Sequence, residues 1–356
     1  MGKLHDFIRR LLGGSFKRML ERVNIIHSET GKNRPVMIID MLWCIFRYGI
    51  GYRDYQVFGF YAVYGNNRKT FLTYGKNTQL SRCLNSPEYF DIFDDKALFN
   101  EKFSQFVGRG WIDLRKADVD EFKRFCRNLT CIFAKPLNDF GGHGILREFI
   151  FDSTDLEKMY YEFLDKNIFL IEEPIIQHEK MRLLSKSSVN TLRIVTVFNN
   201  GKVHFLYAVV RMAVGDTFVD NTCSGGLYAP IDESGTITGS AFRDSTGEFY
   251  SRHPNTDTEI CGFEIPMFDK ALEMCKQAGK VCPQVGYVGW DIAITPDGPV
   301  IIEGNTLPNY SLCQNYHFTN GVGILPKLYE ILGADFFKRG KSRCDFSYCE
   351  TVTENK

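Results

Sequence analysis

Over roughly the first ninety residues, the apolar positions fall mainly at helical spacing, and aromatic side chains crowd the pattern. The run "VMIIDMLWCIF" (Val36–Phe46) is too short to cross a bilayer and contains Asp40, so it predicts a buried helix. "YRDYQVFGFYAVYG" mixes apolar and aromatic residues and ends in a Gly-Asn-Asn turn, and "KTFLTYGKN" reads as a short β-like segment. In "DIFDDKALFNEKF", Asp94 or Asp95 precedes a helical pattern that turns Leu98, Phe99 and Phe103 inward. "DVDEFKRFCRNL" (Asp118–Leu129) predicts a further amphipathic helix.

Beyond that helix the texture changes to strands: "CIFAKPL", "GILREFI", "IFLIEEPI", "LRIVTVF" and "KVHFLYAVVRM". The turn "NNG" at Asn199–Gly201 joins the last two as a hairpin. "MFDKALEMCKQAGKV" is one more helix, followed by the strand-like pair "GWDIAITPDGPVIIEGN" (Gly289–Asn305). Strands paired in sequence, with helices between, predict an α+β chain. No repeat or low-complexity segment interrupts it.

The chain has 356 residues, more than one comfortable core, so two or three subdomains are expected. Lys plus Arg and Asp plus Glu are both 43, which leaves no strongly basic field and excludes nucleic acid as the main partner. With 30 Phe and 17 Tyr, the core is expected to be aromatic-rich. The 11 cysteines lack zinc spacing and read as reduced thiols of a cytoplasmic protein. The start, "MGKLHDFIRRLLGGSFKRML", is basic and amphipathic but a poor signal peptide, and Asp6 spoils a myristoylation motif. It reads as a docked or mobile surface helix, with contact at a membrane interface as the lesser alternative.

Four constellations carry candidate chemistry. In "AKPLNDFGGHGI" a strand delivers Lys135 to a loop with Gly141, Gly142 and Gly144; glycines let backbone N–H groups approach phosphate oxygens, and the lysine adds charge. A flexible hairpin loop is the alternative. In "FLIEEPIIQHEK" three apolar residues run into Glu172 and Glu173, as a ribose- and adenine-reading strand end or as a solvated one. In the segment Ser188–Gly226, Arg193 lies on the first hairpin strand and Arg211 ends the second, with Asn221, Gly225 and Gly226 after them. Two arginines and an asparagine suit a triphosphate or a carboxylate, or they are surface arginines.

The fourth constellation is decided by register. A three-residue loop Pro296-Asp297-Gly298, with Gly298 left-handed, sets Thr295 opposite Pro299 and hence Asp291 opposite Glu303. Asn305 then shares their face. Two carboxylates and an amide oxygen on one face make a hard-cation site for Mg²⁺ or Mn²⁺. A two-residue loop would instead turn Glu303 away. The neighbours Ile292, Ile294, Ile301 and Ile302 make the hairpin core-like.

In this order the blocks resemble the ATP-grasp superfamily. "SVNTLRIVTV", "IEEPIIQH" and "GWDIAITPDGPVIIEGN" look like its sugar-transfer-associated family, and the hairpin ending in Arg211 is also similar to the ribosomal-protein and α-L-glutamate ligase branch. The motif resemblance covers Asp94 to Pro308. It implies two α+β subdomains gripping ATP, an N-terminal helical region over 1–90, an ATP-grasp domain over 91–340 with a lid near 130–180, and a tail over 341–356. It implies that Lys135 and Lys96 hold the ATP phosphates under the Gly141, Gly142 and Gly144 loop. Glu172, Glu173 and the Pro174–Ile175 backbone would meet adenine, and Glu179 the ribose. Asp291, Glu303 and Asn305 would bind two Mg²⁺ ions, with Arg193, Arg211 and Asn190 at the transferred phosphoryl group.

His143, inside the loop, departs from the pattern and reads as loop filling. The implied reaction is ATP-dependent joining of a small-molecule carboxylate to an amine or sugar-linked acceptor, in surface-glycan assembly. A kinase acting on a hydroxyl and a non-catalytic nucleotide-binding protein are the rival readings.

Overall fold

A computed structural model describes residues 16–137, 144–215 and 225–338. The chain divides into two compact units. One contains 16–80 and 309–338, and the other contains 81–308. Residues after Pro308 thus associate with the N-terminal helices, whereas the sequence grouped them with the strands.

The first unit packs the helices Phe16–Thr30, Arg34–Tyr48 and Tyr52–Val57 around Tyr55, Phe58, Phe60 and Phe71. Arg68 is buried among these rings. It reaches Asp40 with both terminal nitrogens, at 2.7 and 2.6 Å, and donates to the Val63 carbonyl at 2.6 Å. Gln314 bonds both backbone groups of Leu72, which ties the chain's later segment into this unit.

Two sequence expectations fail in this unit. "KTFLTYGKN" is not a strand: a 3₁₀ helix (Gly65–Thr70) and the helix Tyr74–Leu84 take its place. The helix Arg34–Tyr48 is covered on one side only. Met37, Met41 and Cys44 point inward, while Val36, Ile39, Trp43 and Phe46 are exposed. An unbroken apolar run cannot reveal which of its faces meets a neighbour.

The second unit holds two antiparallel sheets. The smaller consists of β1 (Trp111–Asp113), β2 (Cys131–Lys135), β3 (Leu146–Phe149) and β4 (Leu170–Glu172), in the order β1-β4-β2-β3. The helices Val119–Cys126 and Leu156–Asp165 supply Phe122, Tyr160 and Phe163 to its core. A capping box starts the first of them: Asp118 accepts from the Glu121 amide and Glu121 returns the bond.

The larger sheet consists of β5 (Thr191–Asn199), β6 (Lys202–Met212), β7 (Leu227–Ile231), β8 (Ala241–Phe242), β9 (Phe249–Tyr250), β10 (Tyr287–Thr295) and β11 (Gly298–Asn305). Its order is β11-β10-β5-β6-β7-β8-β9. Asn200 and Gly201 make the predicted tight turn, both with positive φ. One sheet face is apolar: Leu192, Ile194, Val210, Trp290 and Ile292 pack on the helix Phe268–Ala278 and on Phe93, Phe99 and Phe103. Asp95 caps the helix Lys96–Lys102 as expected, but Leu98 of that helix is exposed. Alternation sends the other face's residues toward the site.

Replacing Asp118 with alanine leaves the Glu121 amide without its cap. Chemical denaturation should show a loss of about 1 kcal/mol.

Candidate active site

The strand pair β10–β11 reaches the expected pairing by another route. Thr295 pairs with Gly298, so the loop is the two-residue Pro296–Asp297, and Ile292 pairs with Ile301. On its own this register would set Asp291 opposite Ile302. A bulge at Ile302 restores the match, and Asp291 lies opposite Glu303. Gly298 opens β11 with φ 146°, outside the left-handed bulge geometry that the sequence predicted. Ile302, expected in the core, is only half-buried because it is the inserted residue.

Asp291 also lies opposite Arg193 on β5, so Glu303, Asp291 and Arg193 form one row across three strands. Arg193 grips both oxygens of Asp291, through Nε to Oδ1 and from NH2 to Oδ2 at 2.9 Å. From β6, Arg211 adds a bond to Oδ2 at 2.8 Å and steadies itself on the Thr191 hydroxyl at 2.8 Å. The arginines that the sequence placed near each other therefore meet on a carboxylate. Burial alone would raise the Asp291 pKa, but the two guanidiniums outweigh it and bring it from 3.8 down to about 2.

Glu303 shifts the opposite way. Burial and the neighbouring Asp291 charge push its pKa up, and it shares a hydrogen bond with Asp291. Asn305 sits beside it, with its amide nitrogen 3.4 Å from both Glu303 Oε1 and the Gly289 carbonyl. Two carboxylates set side by side make the kind of place that a divalent cation fills. The donors are two carboxylates and an amide, all hard oxygen ligands, and they fit magnesium. Among the described residues no cluster of three or more His, Cys, Asp or Glu is placed for a metal.

The second charged group forms where β2 and β4 pair in the smaller sheet. Lys135 Nζ lies 2.5 Å from Glu172 Oε2. Glu172 Oε1 accepts from Arg109 at 2.6 Å and from Asn100 at 2.8 Å. Glu172 is therefore a buried counter-ion, and the reading of a solvated strand end is overturned. Burial raises its pKa, but Arg109 and Lys135 together hold it well below the ordinary range. Lys96 begins its helix next to the same strand end, with Nζ 3.2 Å from the Leu137 carbonyl.

Arg109 escaped the sequence analysis. It also donates to the Ile301 carbonyl at 3.0 Å, one residue before the bulge, and so links the two sheets. Its flanking glycines are the signal that was available. Gly108 has φ 60°, and a Cβ there would lie 2.3 Å from Val300 Cγ1; at Gly110 a Cβ would strike the Glu173 carboxylate. Glu173 accepts from the Gly110 amide at 2.8 Å, so it anchors backbone.

The remaining candidates lie apart. Gly144 is described, with φ 71°, whereas Gly141, Gly142, His143 and Asn221 lie outside the described residues. Ile175 is half-buried on the extended segment after β4, and Glu179 is exposed at the start of a short helix. Asn190 is fully buried directly before Thr191, whose hydroxyl accepts from Arg211. Its Nδ2 bonds Gln177 Oε1, the Met181 carbonyl and the Ser185 carbonyl, which closes the turn before β5. Among the described residues its Oδ1 has no hydrogen-bond partner.

Glu172 provides a pH test. Its folded pKa lies below the unfolded value near 4.5, so its contribution is intact above that pH and is lost as the pH falls toward the folded value. Glu172→Gln should lose about 3 kcal/mol near pH 7 and show a flatter acid limb in denaturation curves measured against pH.

A family model described as sugar-transfer associated ATP-grasp matches residues 75–332. No curated protein matches the chain. Among solved structures, the chain is similar to the ATP-grasp ligase PsnB complexed with minimal precursor, at 15% identity over 70% of this chain and 64% of that one, with a TM-score of 0.43. For the D-cycloserine synthetase DcsG the identity is 13% over 69% and 73%, with a TM-score of 0.42. For D-alanyl-alanine synthetase A from Vibrio cholerae it is 12% over 76% and 66%, with a TM-score of 0.38. The chain thus spans less than two thirds of the PsnB chain's length. The family match covers most of the chain, from the helix before the smaller sheet to beyond β11, and the protein belongs to the sugar-transfer associated ATP-grasp family.

Proposed function

We propose that this chain is an ATP- and magnesium-dependent ligase that activates a substrate carboxylate as an acyl phosphate and passes the acyl group to an amine or a sugar-linked acceptor. The observation that carries this reading is the row Glu303–Asp291–Arg193, with Arg211 and Asn305 beside it. It places acids able to hold a cation directly against guanidiniums able to hold an anion. The family's association with sugar transfer supports an acceptor in glycan assembly. The balanced charge of the chain argues against nucleic acid as the acceptor.

Each group has a task in this scheme. Asp291, Glu303 and Asn305 would hold magnesium, which supplies Lewis-acid stabilisation to phosphate oxygens. Lys135 and Lys96 meet the phosphate charges at the end of β2. Glu172 and Arg109 keep the Lys135 ammonium in position before the nucleotide arrives. Glu173, by anchoring Gly110, fixes the Pro174–Ile175 backbone for adenine, and Glu179, at the start of the next short helix, is the candidate for the ribose.

Arg193 and Arg211 steady the phosphoryl group in transit. A substrate carboxylate oxygen bonds to the γ-phosphorus while the bond to ADP breaks and ADP leaves with its electron pair. The acceptor nitrogen then bonds to the acyl carbon, phosphate departs, and the nitrogen loses a proton. Cations suit this chemistry, because charge develops on phosphoryl oxygens and no covalent nucleophile is required. The eight described cysteines are free, in keeping with a reducing cytoplasmic setting.

Incubation with candidate amino acids or sugar acids, ATP, magnesium and hydroxylamine tests the reaction. A hydroxamate together with ADP and free phosphate is expected; a phosphorylated product without hydroxamate or free phosphate would establish a kinase instead. Asp291→Asn combined with Glu303→Gln should lower kcat by about 100-fold or more, and unchanged turnover would remove the metal assignment. Arg109→Lys keeps the charge but loses the fork, so KM for ATP should rise by about tenfold with a smaller change in kcat.

A further inference from the structure

The helix Lys96–Lys102 meets the strand ends of the smaller sheet with one face. Lys96 opens it, and both its amide and its Nζ donate to the Leu137 carbonyl, at 3.4 and 3.2 Å, two residues beyond Lys135. Asn100, four residues on and so on the same face, donates to Glu172 Oε1 at 2.8 Å. Glu172 in turn holds Lys135. Where the Lys96 ammonium stands beside the end of β2 therefore depends on where this helix begins.

Asp95 fixes that beginning. Its Oδ1 accepts from the amides of Ala97 and Leu98 at 2.9 and 3.1 Å. Asp95 is itself held by Arg115, from the turn after β1: NH1 lies 2.7 Å from Asp95 Oδ2 and NH2 3.4 Å from Oδ1. The same guanidinium forks onto Asp113, the last residue of β1, with Nε 2.9 Å from Oδ1 and NH2 2.6 Å from Oδ2. Burial would raise the Asp113 pKa, but the bonds from Arg115 bring it below its ordinary value. One planar group thus joins the end of β1 to the cap of the lysine-bearing helix. A single exposed ion pair contributes little, whereas a fork shared by two carboxylates, one of them buried, fixes a geometry.

We propose that Arg115 is a positioning residue for the nucleotide. By tying Asp95 to Asp113, it sets the start of the helix so that the Lys96 ammonium is in place for a phosphate before the nucleotide binds. This rests on the reading of Lys96 as a phosphate ligand. Without the tie the helix start is free to shift, and the lysine must be ordered at the moment of binding, which weakens affinity. A lysine at 115 keeps the charge but cannot bridge both carboxylates as the planar fork does.

Calorimetry on the full chain with magnesium and a non-hydrolysable ATP analogue tests the proposal. Arg115→Met should weaken binding by about fivefold, and Arg115→Lys nearly as much. Lys96→Met should weaken it as well. Adding Arg115→Met to Lys96→Met should bring no further loss, because the arginine acts through the lysine. Lys116→Met removes the exposed pair between the same turn and Glu101, at 3.1 Å, and should leave the affinity unchanged. If Lys96→Met binds the analogue as the wild type does, Lys96 holds no phosphate, and the proposal falls with that reading. If Lys96→Met is weakened while Arg115→Met binds normally, the positioning role alone is overturned. Losses that multiply in the double variant, or an equal loss in Lys116→Met, would overturn it in the same way.

Discussion

A carboxylate buried in a sheet persists as a charge only where cations meet it, and this constraint organises the large sheet around Asp291. Its neighbours on three other strands supply what it needs: Arg193 from β5, Arg211 from β6 and the protonatable Glu303 from β11. None of these side chains would be stable alone at that depth. Together they form a charged face on a sheet whose opposite face is filled by Trp290, Ile292 and Ile194. The strand order β11-β10-β5-β6 is what brings the four residues onto neighbouring strands.

A second buried ion group obeys the same rule in the smaller sheet. Glu172 is saturated by Lys135, Arg109 and Asn100, which leaves Lys135 held at the strand end. Arg109 makes this a link as well as a neutralisation, because its other bonds run to the β11 backbone at Ile301. The two charged groups are thereby joined through one guanidinium and the residues next to the bulge. The glycines at 108 and 110 are small because the side chains of Val300 and Glu173 approach closely on either side of that arginine.

Much of this was legible from residue order. Strand-like apolar runs located β5, β6, β10 and β11, and Asn-Gly located the turn between the first two. The pairing of Asp291 with Glu303 was inferred from a three-residue loop. The structure reaches it through a two-residue loop and a compensating bulge. A bulge carries no residue signature of its own, because one inserted residue is set by the fit of neighbouring strands.

The sequence by itself determined which residue types stand at the strand ends, where helices begin, and the family pattern of lysine, glycines, acids and arginines. The tertiary structure decided what each charge meets. Glu172 read as a nucleotide-facing or a solvated strand end until Lys135 and Arg109 closed over it, and only the packed chain shows the Asn190 amide nitrogen bonded into the Gln177 turn. It also decided that the apolar run from Val36 to Phe46 would be covered on one side and open on the other. The physical reason is the same in each case: burial and ion pairing are made by residues distant in sequence, and only the packed chain brings those residues together.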